Sequence, residues 1–427
     1  MTIHVVRAGE SLRSVAAQYG VPAELLAGLN GIAEETPLAV GQTLVVRFPS
    51  EVHTVSAGET LYGIARRYGL SVRQLYQNNF ALGGRSELAV GQTLVLAYTD
   101  TPLRTVGVNA YAYPFIDGAL LNAALPYLTY LTPFTYGFTE DGALVPLDDG
   151  RLLAAAGRHR AASLLHLSTL TEEGQFSNER SSALLADEAL QEALVQSILQ
   201  TMREKGFYGL DVDFEYVRPH EREAYAAFVA RLRETLAPLG YPVIVALTPK
   251  TSAAQRGLLY EAHDYALLGE AANAVFLMTY EWGYTYGPPM AVAPLPQVRA
   301  VLDYAVTELD PARVFLGVPL YGYDWPLPFV QGETRAQSVS PVQAVRQAVR
   351  LGAEIFYDET AQAPYYAYAD SAGREHIVWF EDARSIEAKL RLADEYGLQG
   401  IGYWSLMRAF PQNWAVLSAL YDIETLL

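Results

Sequence analysis

Three acidic residues, Asp211, Asp213 and Glu215, alternate with apolar ones in GLDVDFEYV (209–217). On an extended strand, alternate side chains share a face, so the carboxylates point one way and Leu210, Val212 and Phe214 the other. The apolar set suits packing against helices, which leaves the acids lining an interior. Unpaired buried carboxylates cost roughly several kcal/mol each unless protonated or hydrogen-bonded. Like charges crowded on one face cannot all ionise, so at least one proton is held to higher pH. A group that keeps its proton can give it to a leaving oxygen. Glu215, last of the three and nearest the C-terminal end of the strand, is the candidate general acid. The competing reading is an exposed edge strand with solvated acids, and the apolar flanks argue against it.

Acids so placed need a scaffold, and the chain around them alternates short apolar runs with longer helical stretches. Eight runs read as strands: 105–113, 127–138, 162–169, 209–217, 241–249, 274–282, 314–323 and 400–406. Between them, 187–204 and 220–237 carry apolar residues at helical spacing. Eight βα units predict an α/β fold, a (β/α)8 TIM barrel over 104–427. An open doubly wound sheet is the alternative, but no glycine-rich phosphate loop follows the first run. Residues 351–380 break the rhythm and read as a small α+β insertion between strands seven and eight. On this layout Trp282, Trp325 and Trp404 fall at or just beyond the ends of strands six, seven and eight. Tyr111 and Tyr136 lie near the ends of strands one and two. Aromatic faces cover the apolar C–H faces of pyranose rings, although a single aromatic is more often core.

The N-terminal part is a repeat. VVRAGESLRSVAAQYGV (5–21) is echoed by TVSAGETLYGIARRYGL (54–70), and Gly9, Gly20 and Asn30 match Gly58, Gly69 and Asn79, each 49 positions on. The copies, 2–48 and 51–98, each read strand, helix, helix, strand (βααβ). Glycine makes the first turn, Ser11 or Thr60 caps the first helix, and Gly20 or Gly69 stops it. A linker around 99–104 leads to the barrel.

The chain has 427 residues, 51% hydrophobic and 18% charged, with a formal net charge of −17. That composition supports a large core, and the acidity argues against a nucleic-acid partner. With no cysteine there is neither a disulfide nor a thiolate metal site. The seven histidines lack metal-ligand spacing, so no metal or cofactor is expected, and His166 and His376 read as ordinary structural or surface residues. No run approaches the roughly 18 apolar residues of a membrane span. The start, MTIHVVRAGE, lacks the pattern of an ordinary secretory leader.

The repeat resembles the LysM domain, which implies binding of N-acetylglucosamine-containing glycans such as peptidoglycan and chitin. By position, the resemblance implicates Glu10, Ser11 and Leu12 in the first copy, and Glu59, Thr60 and Leu61 in the second. The two leucines also suit a buried core. YGLDVDFE resembles the Asp-Gly-x-Asp-x-Asp-x-Glu signature of glycoside hydrolase family 18, with Tyr208 in place of the first Asp. This resemblance extends over 105–427. MTYEWGY (278–284) resembles the family's Met-x-Tyr-Asp strand, with Glu281 for Asp, and GYWSL puts Trp404 where a tryptophan floors the sugar pocket.

The family resemblance implies that Glu215 protonates the glycosidic oxygen while the substrate's own 2-acetamido group attacks the anomeric carbon, with net retention. It implies that Asp213 orients the acetamide and stabilises positive charge, that Asp211 shares a proton behind it, and that Tyr280 hydrogen-bonds the acetamide carbonyl. Glu281, Trp282, Tyr111, Tyr136 and Trp325 join Trp404 as candidate substrate contacts. The two LysM-like copies, the missing leader, TPK after strand five and MTYEWGY together resemble bacterial spore-germination, cortex-lytic glycosidases. That implies an N-acetylglucosaminidase made in the mother cell and held at the spore coat or cortex surface. A chitinase is the alternative enzyme. A silent, lectin-like or structural spore-coat protein is the alternative without catalysis, and the presence of Glu215 weighs against it.

Overall fold

The computed structural model describes residues 1–427. In the first N-terminal unit Thr2–Val5 pairs antiparallel with Thr43–Val46 around the helices Leu12–Tyr19 and Ala23–Asn30. In the second, Pro49–Thr54 pairs with Thr93–Tyr98 around Leu61–Arg67 and Val72–Asn78. The Ser11 hydroxyl accepts from the Ser14 amide and Thr60 from Gly63, so both first helices start where a cap is available. The repeated asparagine has a structural cause. Asn30 donates to the Leu26 and Val45 carbonyls and accepts from the Val45 amide, and Asn79 makes the same three bonds to Leu75 and Val95. Each thereby ties the end of the second helix to the closing strand.

Leu12 (0% exposed) and Leu61 (2%) lie in the small cores with Val15, Ala16, Ile64 and Ala65. The expectation that these two leucines contact glycan is therefore corrected: their helical phase turns them inward. Leu61→Ala is expected to destabilise the second unit by about 2–5 kcal/mol. Calorimetry should show an earlier transition for that unit, with the barrel transition little moved.

Eight parallel strands close the barrel: Arg104–Ala112, Tyr130–Pro133, Ala162–Ser168, Gly209–Asp213, Val243–Leu247, Ala274–Leu277, Val314–Pro319 and Gly400–Trp404. The eighth pairs with the first, from Gly400 opposite Gly107 to Tyr403 opposite Ala110. A ninth strand, Tyr421–Ile423, adds outside the barrel along the start of the first. Three residues are too few to carry a readable alternation, and nothing in the sequence announces it. Several strands are shorter than their apolar runs, because the run continues into the turn that leaves the barrel. The fourth thus ends at Asp213 and the sixth at Leu277. Inside, small residues on one strand make room for rings from another; a Cβ on Gly402 would overlap the Phe276 ring.

The insertion begins earlier than 351. The run 314–323 divides, its end passing into Gly322–Pro326, the first strand of a five-stranded antiparallel sheet completed by Gln337–Val339, Phe356–Asp358, Ala363–Ala369 and Glu375–Trp379. Trp325 belongs to this sheet and is fully buried, its indole N–H donating to the Gly287 carbonyl at 2.9 Å. It is packed into the main core beneath the insertion's sheet and is not a substrate contact.

Both N-terminal units are docked. In the first, the Val-Gly-Gln turn presses on the insertion: the Ile355 amide donates to the Val40 carbonyl at 2.9 Å, and Gly41, at φ 83°, meets the Ile355 carbonyl where a Cβ would collide. In the second, Arg73 donates to the carbonyls of Pro126 (2.9 Å) and Leu128 (2.7 Å) just before the second barrel strand. The corresponding Val-Gly-Gln turn there is free, with Val90 72% exposed.

Candidate active site

The fourth barrel strand sorts its side chains as the alternation requires. Leu210, Val212 and Phe214 are fully buried on the helix side, Asp211 is fully buried inside the barrel, and Asp213 and Glu215 are partly exposed toward its C-terminal mouth. The Tyr111 hydroxyl donates to Asp211 at 2.8 Å. His166, on the neighbouring strand, places Nε2 at 3.4 Å from Asp213, while its Nδ1 meets the Thr135 hydroxyl at 2.6 Å. One oxygen of Asp211 and one of Asp213 are buried with no hydrogen-bond partner.

These positions set the protonation states. Burial raises the Asp211 carboxyl to about 6, against the pull of His166 and the Tyr111 hydrogen bond. Glu215 is raised further, to about 8, by burial first and then by the negative charges of Asp213 and Glu281. It has neither a cation nor a hydrogen bond to stabilise its anion. The Tyr280 phenol is pushed well above its usual value by burial and the same carboxylates, so it stays a donor. Glu281 is raised by burial, opposed by hydrogen bonds from Tyr321 and Tyr323. Its backbone sits at φ 68°, a left-handed conformation costing on the order of 1 kcal/mol for a non-glycine residue. The two tyrosine hydroxyls hold the carboxylate there.

A histidine fixes the backbone under Glu215. The Thr248 amide donates to His263 Nδ1 at 3.3 Å, so the ring proton is on Nε2, which donates to the carbonyls of Phe214 (3.1 Å) and Glu215 (3.2 Å). Burial lowers this imidazole from 6.5 to about 4 and keeps it neutral. Its contribution to stability is fully present above about 6.5 and is lost as pH falls toward about 4, because the unfolded chain takes up the proton first. His263→Asn is expected to melt with a shallower pH dependence than the wild type over that interval. It should also lower kcat about tenfold with little change in KM, as Glu215 loses its seat.

The carboxylates open into a pocket of about 530 Å³ that Tyr280, Glu281, Trp282 and Trp404 also line. Trp404 is held edge-on to Phe134, Tyr111 and Tyr113, with ring centroids 4.9, 5.7 and 6.2 Å away. A proton donor, a second carboxylate beside it, a phenol donor and an aromatic floor share one cavity.

Residues 160–409 match the glycosyl hydrolases family 18, and 4–47 and 53–97 match the LysM domain. The chain belongs to family 18. Along its length it is similar to the cortical fragment-lytic enzyme of Bacillus subtilis, 42% identical over 99% of both chains. The crystal structure of the Bacillus cereus spore cortex-lytic enzyme SleL superposes with a TM-score of 0.84 at 38% identity, covering 99% of this chain and 98% of that one. A Chromobacterium violaceum chitinase structure reaches a TM-score of 0.68 at 25% identity, over 74% of this chain and 98% of that one. The protein is a glycoside hydrolase with two LysM domains in front of a TIM barrel.

Of the candidate site residues of the barrel, the structure gathers Asp213, Glu215, Tyr280, Glu281, Trp282 and Trp404 at one pocket, with Asp211 and Tyr111 buried beneath it. It does not bring Tyr136 there. The Tyr136 hydroxyl hydrogen-bonds Asp149 and accepts from Lys205 Nζ at 2.7 Å, on the side of the barrel wall away from the pocket. Thr135 turns inward to His166, and Tyr136 beside it turns out to Asp149. Glu10, Ser11, Glu59 and Thr60 line exposed turns of the LysM domains and not the pocket. Glu10 and Glu59 are partly committed to those turns: each accepts from a histidine (His4, 2.9 Å; His53, 2.7 Å) and from a backbone amide (Arg7 and Ser56, both 2.8 Å).

His166 corrects the expectation of an ordinary structural histidine, since it contacts Asp213. The available signal was the one ionisable residue in a wholly buried barrel strand, level with Asp211 in the register. Nothing local marked His263, Tyr321 or Tyr323, which come from loops and from the insertion.

Proposed function

We propose that this hydrolase cleaves N-acetylglucosaminyl linkages in spore-cortex peptidoglycan fragments, with retention, by substrate-assisted catalysis. The observation that carries the reading is Glu215, a carboxyl in the Trp404 pocket with no cation or hydrogen bond to stabilise its anion, in a chain that aligns end to end with cortical fragment-lytic relatives. Glu215 gives its proton to the glycosidic oxygen. The acetamide oxygen of the sugar over Trp404 closes on the anomeric carbon, forming an oxazolinium ion that water then opens. Asp213 stabilises the cationic ring and Tyr280 donates to the acetamide, while Asp211, hydrogen-bonded to Tyr111, shares a proton with Asp213. The LysM domains hold the glycan through the exposed turns at Glu10–Ser11 and Glu59–Thr60, and the chain acts at the spore coat or cortex. The units at 2–48, 51–98 and 104–427 divide these tasks.

Product analysis by mass spectrometry tests this. Cortical fragments and chitin oligomers are each incubated with wild type and with Glu215→Gln. New reducing-end N-acetylglucosamine from the cortical fragments, absent with the variant, is the expected result. Cleavage of chitin alone makes the protein a chitinase, and retained binding without cleavage makes it a lectin.

A further inference from the structure

The groove does not end at Trp404. A second depression of about 440 Å³ continues from the catalytic pocket, sharing Tyr113, Glu281 and Trp404 with it. Phe115, 77% exposed, stands at its edge beside the Tyr113 ring, with centroids 5.2 Å apart. Such aromatic walls suit a further pyranose ring. The depression holds one cation, Arg408, which is half-buried. Its guanidinium meets only neutral partners, Gln343 Oε1 at 3.3 Å and Ser338 Oγ at 3.5 Å, both long for an arginine. The one carboxylate in the depression, Glu281, is already engaged by the hydroxyls of Tyr321 and Tyr323. Many arginines of the chain, such as Arg231, Arg384 and Arg391, find carboxylates at 2.6–2.7 Å, and others find none; what sets Arg408 apart is its place in this groove. Arg408 is a guanidinium left without an anion, in a groove continuous with the catalytic pocket.

We propose that this depression receives the sugar adjoining the one over Trp404, and that Arg408 binds the carboxylate on that sugar's lactyl-peptide substituent. The inference rests on the N-acetylglucosaminidase reading: with an N-acetylglucosaminyl residue over Trp404, strict alternation puts a muramyl residue on either side. A muramyl residue differs from N-acetylglucosamine by an O3 lactyl group, which is extended by amino acids ending in a carboxylate. The guanidinium fork matches a carboxylate with two parallel N–H donors, a pairing stronger than its present neutral contacts. Chitin offers no such anion. The lactam form of muramic acid, whose carboxyl is closed onto nitrogen, offers none either. Arg408 thus selects stem-bearing strands, and it acts on binding rather than on the chemical step.

The test is a calorimetric titration in the Glu215→Gln background, where turnover does not interfere. Two synthetic tetrasaccharides alternate N-acetylglucosamine with muramyl-L-alanine and differ only in a free alanine carboxylate against its carboxamide. The carboxylate form is expected to bind about tenfold more tightly. Adding Arg408→Ala brings the ratio to about one, and Arg408→Lys keeps part of it. That dependence separates this site from any binding by the LysM domains, and the carboxamide affinity reports that the groove is intact. Equal affinities with Arg408 present, or a preference that survives Arg408→Ala, overturns the proposal. Cleavage of the same compounds by the wild type is scored separately, so a failure of the glucosaminidase reading is not mistaken for a failure at Arg408.

Discussion

Replacing Glu215 with glutamine lowers kcat on cortical fragments about 10³-fold, within the range expected for loss of a general acid. The variant keeps the shape of the side chain and its burial but has no proton to give. The pH profile carries the sharper signature. Glu215 acts only while protonated, and burial together with the charges of Asp213 and Glu281 holds its proton up to about 8. Wild-type kcat should therefore persist through neutrality and fall as pH rises through about 8. The residual activity of the variant should show no such limb, because the amide does not titrate. An alkaline limb that survives in Glu215→Gln would assign it to another group and remove Glu215 from the acid's role.

Asp213→Asn should cost about 10²-fold in kcat, because a charge facing the developing cation is replaced by a neutral dipole. It makes a second prediction of definite sign. The Asp213 anion is one of the causes that raise Glu215, so its removal lets the acid lose its proton earlier. The alkaline limb of kcat should move to lower pH. It should not reach the value of a free carboxylate, since burial, the larger cause, and Glu281 remain. A pH series on wild type and variant measures both effects at once. An unshifted limb would mean that Asp213 and Glu215 are not electrostatically coupled in the working enzyme.

The period-2 alternation of Asp211, Asp213 and Glu215 was legible because a barrel strand converts sequence parity directly into facing. The eightfold rhythm and the repeated Gly-Glu-Ser/Thr turns were legible because they rest on local turn and cap chemistry. Parity is no guide once the chain turns past a strand's end: it still holds for Glu215, two residues beyond Asp213, and fails elsewhere. Tyr136 lies beyond Pro133, past the end of the second strand, and its ring goes to Asp149 instead of the pocket. Trp325 follows the seventh strand in sequence but belongs to a second sheet that begins at Gly322. His263 supports Glu215 from 48 residues away, through a loop whose course is set by tertiary packing and by no local periodicity. Arg408 acquires interest only because no acid came to rest beside it, and an absence of that kind is invisible along a chain.

The hydrogen bonds that dock the LysM domains, at Val40–Ile355 on the insertion and at Arg73 with Pro126 and Leu128 on the barrel, change what two such domains can contribute. A module on a slack tether raises the local concentration of substrate for any approach angle. A module bolted to the catalytic body does so only for strands whose path matches the fixed offset between the two sites. A rigid offset of this kind favours glycan pieces long enough to span it, and a piece too short to span it is held at one site alone.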